Sequence, residues 1–276
     1  MALTDFNEYV ERLSENRASD FLMSAGMSRA GRLNAIFQLF QPAPATPTTS
    51  KVTDKNSLES IGPIPAISTG RLTFLGGRFS FMPTGAGGGG GMAGIMIDLL
   101  NINGGLSGTV TTPQTTNLPT AALTRYTSGE GVMAGIIIFS TVGTTSTTIT
   151  ISYTNQAGTS GRTSTATSFG NTNFREVRIL IPIPLQAGDT GVRSIESVTL
   201  AGTTGTAGDF GVCLYKPLAM ISFEDVSGGQ APLDAVSSNC IIGSLCEIHP
   251  DACLTFLANG TIINLAMGGA VILTEA

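Results

Sequence analysis

Two hydrophobic periodicities divide the chain. Phe6, Tyr9, Val10 and Leu13 recur at i, i+3, i+4 and i+7, the single apolar stripe of a helix. Thr4 stands where an N-cap belongs, Asp5 and Glu8 fall in the first turn, and Glu8 lies four residues before Arg12. A second stripe, Leu33, Ile36, Phe37 and Phe40, starts after a capping Ser28 and ends at Pro42. Residues 1–40 therefore read as a short α-helical N-terminal arm. Residues 41–65 hold five of the 13 prolines and no sustained period, the pattern of an extended Pro-, Thr- and Ser-rich linker.

From residue 66 onward the period drops to two. In "GRLTFLGGRFSFMP", Leu72 and Phe74 oppose Arg71 and Thr73, and Phe79 and Phe81 oppose Ser80. "GVMAGIIIFSTVG", "TTITISYTN", "REVRILIPIPLQ", "SIESVTLAG" and "DFGVCLYKP" follow, each bounded by Gly, Asn, Asp or Pro. In the third of these, Pro182 and Pro184 cannot donate to a ladder, which predicts an edge strand or a strand end. "SYTNQAGTSG" (152–161) and "SVTLAGTTG" (197–205) read as two hairpins with similar turns. Residues 252–276 read as two or three strands with Asn259-Gly260 as a type I′ turn. The spacing predicts a mainly β fold, a jelly-roll-like or β-sandwich domain over 66–276, with 220–276 as a possible subregion.

Composition sharpens this picture. Charged residues are 12% of 276, about half the usual share, while hydrophobic residues at 42% are ordinary. Gly, Thr and Ser fill the difference. Charge is also uneven, since 13 of the 33 charged residues fall in residues 1–60. A weakly charged chain rich in Ile and Val is not disordered, and it suits a surface committed to other protein surfaces. The net charge of −5 offers no basic field for a nucleic-acid backbone, and the absence of Trp leaves few stacking platforms. The acidic N-terminus lacks the pattern of a secretory signal, and the longest apolar run, 131–139, is too short for a bilayer. The expectation is a soluble protein made in the cytoplasm, with no membrane partner.

Candidate chemistry is sparse. Gly85, Gly87 and Gly90 match G-x-G-x-x-G, and a dinucleotide site would need "MAGIMIDLL" behind them to be a helix. The β-only remainder favours a plain glycine loop. Cys240, Cys246, His249 and Cys253 are spaced C-x5-C-x2-H-x3-C, unlike a structural zinc knuckle, and read as packed thiols. Asp98, Glu130, Glu176, Asp189, Glu196 and Asp209 sit mostly beside Gly or in turns and read as solvated, with no facing pair indicated for glycoside hydrolysis. No catalytic, cofactor or metal residue is assigned, and the chain is expected not to be an enzyme.

"GLSGTVTTPQTTNLPTAALTRYTSGEGV" (105–132), "SYTNQAGTSGRT" (152–163) and "PLQAGDTGVRSIESVTLAGTTGTAGDFGVCLYKPLA" (184–219) resemble virion structural proteins of tailed bacteriophages, head decoration or cement proteins among them. The resemblance spans about 66–276 and is strongest over 105–219. It implies a structural protein on the capsid surface that bridges capsomers. Its partners would be the major capsid protein and neighbouring copies of itself, as a homo-oligomer on the particle. A tail, neck or fibre component is the alternative, and a carbohydrate-binding particle protein the more distant one. Phe6, Tyr9, Val10, Leu13, Leu33, Ile36, Phe37 and Phe40 are the expected partner contacts. Removing residues 1–60 is then expected to leave the β domain folded and to weaken particle binding.

Overall fold

The structure is a computed structural model. It describes the backbone of residues 18–27, 37–39, 47, 51–57, 59–60, 72–83, 92–116, 122–171, 174–223, 230–234, 247–260 and 265–275. Side chains are described over 47, 51–57, 59–60, 94–116, 122–171, 174–219 and 247–257. All regular elements among these residues are strands. They form two compact units interleaved along the chain, one of Met1–Ala35, Asp54–Ile97 and Leu218–Ala276, the other of Ile36–Thr53 and Asp98–Pro217.

The first unit is built on long antiparallel pairings. β1 (Ala18–Met27) pairs along its full length with β17 (Leu265–Glu275), from Ala18 opposite Thr274 to Met27 opposite Leu265. β17 pairs in turn with β4 (Leu72–Pro83), and β4 with β14 (Gln230–Asp234) and β15 (Glu247–Ile248). Residues 72–83 are thus one strand, with Gly76 and Gly77 inside the ladder. β16 (Leu254–Gly260) also falls within this unit's residues. Asn259 and Gly260 are its last residues and do not form the expected two-residue turn.

The second unit is a β-sandwich. One sheet runs β10 (Thr167–Phe169), β8 (Thr147–Asn155), β12 (Val192–Leu200), β6 (Gln114–Thr115), with β9 (Arg162–Thr163) also on β8. The other contains β2 (Phe37–Leu39), β11 (Ile179–Ile183), β7 (Met133–Ser140) and β13 (Asp209–Phe223). β5 (Met92–Leu106) joins β13, and β3 (Lys51–Val52) joins β5. The chain crosses between the sheets at β5–β6, β6–β7, β7–β8, β10–β11, β11–β12 and β12–β13. The repeat at 197–205 is therefore a crossing between sheets, whereas the one at 152–161 is a true hairpin.

Alternation decides which side chains meet. Ile149, Ile151, Tyr153, Ile195, Val198 and Leu200 point inward from the first sheet, and Ala134, Ile136, Ile138, Ile179, Ile181, Phe210 and Val212 from the second. Phe169 and Phe210 close the core across the sheets, ring centroids 4.8 Å apart and tilted by 57°. β7 is buried on its other face as well, through Gly135, Ile137 and Phe139, which is why it reads as an unbroken apolar run. β2 reaches only Ile179 and Leu180 of β11, so Pro182 lies beyond that pairing, as its missing donor requires.

Candidate functional site: an outer sheet face and two loop ends

The outward residues of the β8–β12 pair are hydroxyls. Thr150 lies opposite Thr199, Ser152 opposite Ser197, and Thr154 opposite Ser194, all half-buried. Thr148 and Ser168 extend this face across β8 and β10, and Thr115 extends it beyond Ser197. Two register shifts, at Val192/Ser194 and Ile195/Ser197, insert Arg193 and Glu196 as extra residues on β12. Each inserted residue is tied down. The Glu196 Oε1 atom accepts from Thr154 Oγ1 and Ser194 Oγ, both at 2.7 Å. Arg193 Nε donates to the carbonyls of Ser128 (3.1 Å) and Gln156 (3.0 Å).

Asp189 knits one end of the sandwich. Its carboxylate accepts from Tyr153 Oη at 2.5 Å, Asn155 Nδ2 at 2.7 Å and Arg162 Nε at 2.9 Å, and its side chain is only 3% exposed. The Arg162 guanidinium, with Tyr153 and Asn155, holds the carboxyl well down, to about 2. Burial, reinforced by the bond to Asp189, raises the Tyr153 phenol. The Tyr153 oxygen also accepts from the Gln186 amide at 2.9 Å, so β8 and the β11–β12 loop are locked together. Gln156 Oε1 accepts from the Thr190 and Gly191 amides, and Lys216 Nζ donates to the Glu130 carbonyl at 2.9 Å.

Thr204 does the same at the opposite end. Its hydroxyl contacts the carbonyls of Gly108 (3.1 Å) and Thr206 (2.8 Å) and the amide of Gly143 (3.1 Å). Its backbone binds Gly108 and Thr145. Loops 107–113, 141–146 and 201–208 converge on this one buried residue.

A buried ion pair fastens the strand β3. Arg125 Nε donates to Asp98 Oδ2 at 2.7 Å, and Nη1 and Nη2 donate to the carbonyls of Thr53 and Leu99, both at 2.7 Å. Both side chains are nearly inaccessible, at 2% and 0% exposure. Thr53 continues the β3 pairing through its amide to the Leu100 carbonyl and its hydroxyl to the Leu99 carbonyl.

Several sequence expectations change here. Asp98 and Asp189 are not solvated turn acids, because each is buried against an arginine distant in sequence. "MAGIMIDLL" lies in strand β5, so the glycine run has no helix behind it and the dinucleotide reading falls. Among the described residues no group of three or more His, Cys, Asp and Glu side chains is placed to hold a metal. Cys213 and Cys253 are buried, and burial pushes the Cys213 thiol far above the range of a nucleophile. Cys240 and Cys246 lie outside the described residues. His249 sits in a turn, where Nδ1 accepts from the Asp251 amide at 3.1 Å.

Of the expected partner contacts, Phe37 lies in strand β2, paired with Leu180, and not in a helix. Phe6, Tyr9, Val10, Leu13, Leu33, Ile36 and Phe40 lie outside the described residues. The described parts of the expected helical arm, 18–27 and 37–39, are both strands. β1, β2 and β3 all lie within residues 1–60, so that segment contributes strands to both units. No signal in the sequence marked Asp189, Thr204 or Arg125, which reach partners as far as 36, 96 and 72 residues away.

No family model matches the chain, and no curated protein matches it. Three solved structures of infectious bursal disease virus are similar at a TM-score of 0.23. The VP2 subviral particle is 9% identical over 94% of this chain and 80% of that one. The virus-derived T=1 particles are 10% identical over 94% and 78%, and the T13 viral particle 9% identical over 94% and 77%. At such a TM-score the backbones do not superpose as one fold.

Proposed function

We propose that the chain is a non-enzymatic structural protein of a tailed-bacteriophage virion, a decoration or cement protein on the capsid surface. It bridges capsomers by contacts with the major capsid protein and with neighbouring copies. The observation that carries this reading is the outer face of β8 and β12. Thr150, Ser152, Thr154, Ser194, Ser197 and Thr199 form a row of hydroxyls on a sheet whose two ends are locked by Asp189 and Thr204. A rigid face loses little entropy when it docks, and hydroxyls both donate and accept, so they fit a partner's backbone and side chains alike. Weak contacts of this kind become strong when repeated on a symmetric lattice. The resemblance to virion proteins is strongest over 105–219, nearly the span of this sandwich.

The test is a Thr150→Lys/Thr199→Lys double variant, which places two cations on the face without touching the core. It is expected to fold with an unfolding midpoint near that of the parent and to lose co-sedimentation with purified particles. Full retention of binding overturns the assignment of this face.

A further inference from the structure

One corner of the hydroxyl face on β8 and β12 has lost its donors. A hydroxyl donates one bond and accepts two. At Thr154 and Ser194 the single donor is spent, because both hydroxyls donate to Glu196 Oε1 at 2.7 Å. What they have left is lone pairs. The Glu196 carboxylate itself only accepts, and its Oε2 atom is screened from solvent with no hydrogen-bond partner. The three side chains therefore form a patch of acceptors without a donor. Among the described residues no lysine or arginine is paired with Glu196. Arg193, the other charged residue of β12, turns its guanidinium to the carbonyls of Ser128 and Gln156.

We infer that the protein docked on this face presents a basic side chain, lysine or arginine, to Glu196, with Thr154 and Ser194 as its further acceptors. Charge is the first reason. Docking removes water from a half-buried carboxylate that has no counter-ion. A carboxylate buried alone is costly, and a cation brought by the partner offsets that cost. A cation within ~4 Å does so whichever oxygen it faces. Hydrogen bonding leads to the same chemistry independently. Ammonium and guanidinium groups are donors only, which matches a patch of acceptors only. A neutral donor would fill the bonds and leave the charge, and an acid placed there would be repelled. Glu196 thus selects among partners that the neutral hydroxyls around it would accept alike. The inference rests on the reading of this face as the docking surface, and it names the chemistry of what docks there.

The experiment measures co-sedimentation of the purified full-length chain with phage capsids that lack it. Glu196→Gln keeps an oxygen for the Thr154 and Ser194 hydroxyls and removes the charge, so it should unfold near the parent midpoint. It is expected to weaken binding at least tenfold and to flatten the salt dependence. The parent's own affinity is expected to fall as salt rises from ~50 to ~500 mM. A Glu196→Gln variant that binds as tightly as the parent, or more tightly, overturns the inference, because the carboxylate is then docked without a cation. So does a parent whose affinity holds or rises with salt, a readout that stands even where the variant folds poorly. Thr150→Lys/Thr199→Lys separates the two claims. Full binding by that double variant removes the face and the inference together. Its loss of binding beside an unimpaired Glu196→Gln removes the inference alone.

Discussion

Asp189 and Arg125 show how single residues fix this molecule. Asp189 binds three side chains from one buried carboxylate, and its pKa falls from 3.8 to about 2 in the folded chain. A carboxyl depressed by folding contributes stability that is fully present above its unfolded pKa and is lost as pH falls through the folded one. Unfolding followed from pH 5 to 2 is expected to show the parent losing stability below about pH 4, with Asp189→Asn less stable at neutral pH and flatter across that window. A parallel decline in both proteins would show that other groups govern the acid limb. Arg125 is the harder loss. Arg125→Ala leaves Asp98 charged and buried alone, at an expected cost of about 3–5 kcal/mol in urea unfolding. Arg125→Lys recovers part of that cost, because an ammonium cannot reproduce the forked contact with Asp98 and two carbonyls. Neither network was legible in the sequence. Asp189 follows Gly188 like any turn acid, and Asp98 interrupts an apolar run with nothing nearby to announce Arg125.

Strands, by contrast, were largely readable, because a half-buried strand writes its two faces into alternate residues. β8 and β12 alternate as the sequence implies, and the bulges at Arg193 and Glu196 show where alternation alone falls short. Of the stripe Leu33, Ile36, Phe37 and Phe40, Phe37 alone is among the described residues, and it stands in a strand. An apolar cluster at i, i+3, i+4 also contains a short buried run, and pairing with β11 makes Phe37–Leu39 a strand. Two glycines mark where elements touch. A Cβ on Gly143 would lie 1.7 Å from the Thr204 carbonyl, and one on Gly211 would lie 1.6 Å from that of Asn103. Gly143→Ala and Gly211→Ala are each expected to cost about 1–3 kcal/mol or more, since backbone must move to admit the methyl group. Gly202→Ala, whose nearest atom is a Thr147 hydroxyl at 3.4 Å, is the control and should unfold close to the parent. Equal losses at all three positions would contradict the close approaches.

At the scale of the whole molecule, low charge and abundant hydroxyls find a common explanation in a surface made for contact. The sandwich spends its apolar residues on the core, its few described charges on internal locks such as Asp189–Arg162 and Asp98–Arg125, and leaves Thr and Ser outward. The sequence carried this composition openly, together with the resemblance over 105–219. It could not show which loops the crossings bring together, such as the three that meet at Thr204. β2 and β3 pair within the sandwich and β1 pairs with β17, so residues 1–60 contribute strands to both units. The central claim is that the chain is a multi-copy component of a phage shell. The most direct test is its copy number in purified particles, by quantitative mass spectrometry against the major capsid protein. The account predicts a ratio near one to one, or one oligomer per local symmetry axis. A few chains per particle would place it in the tail or neck and contradict the account.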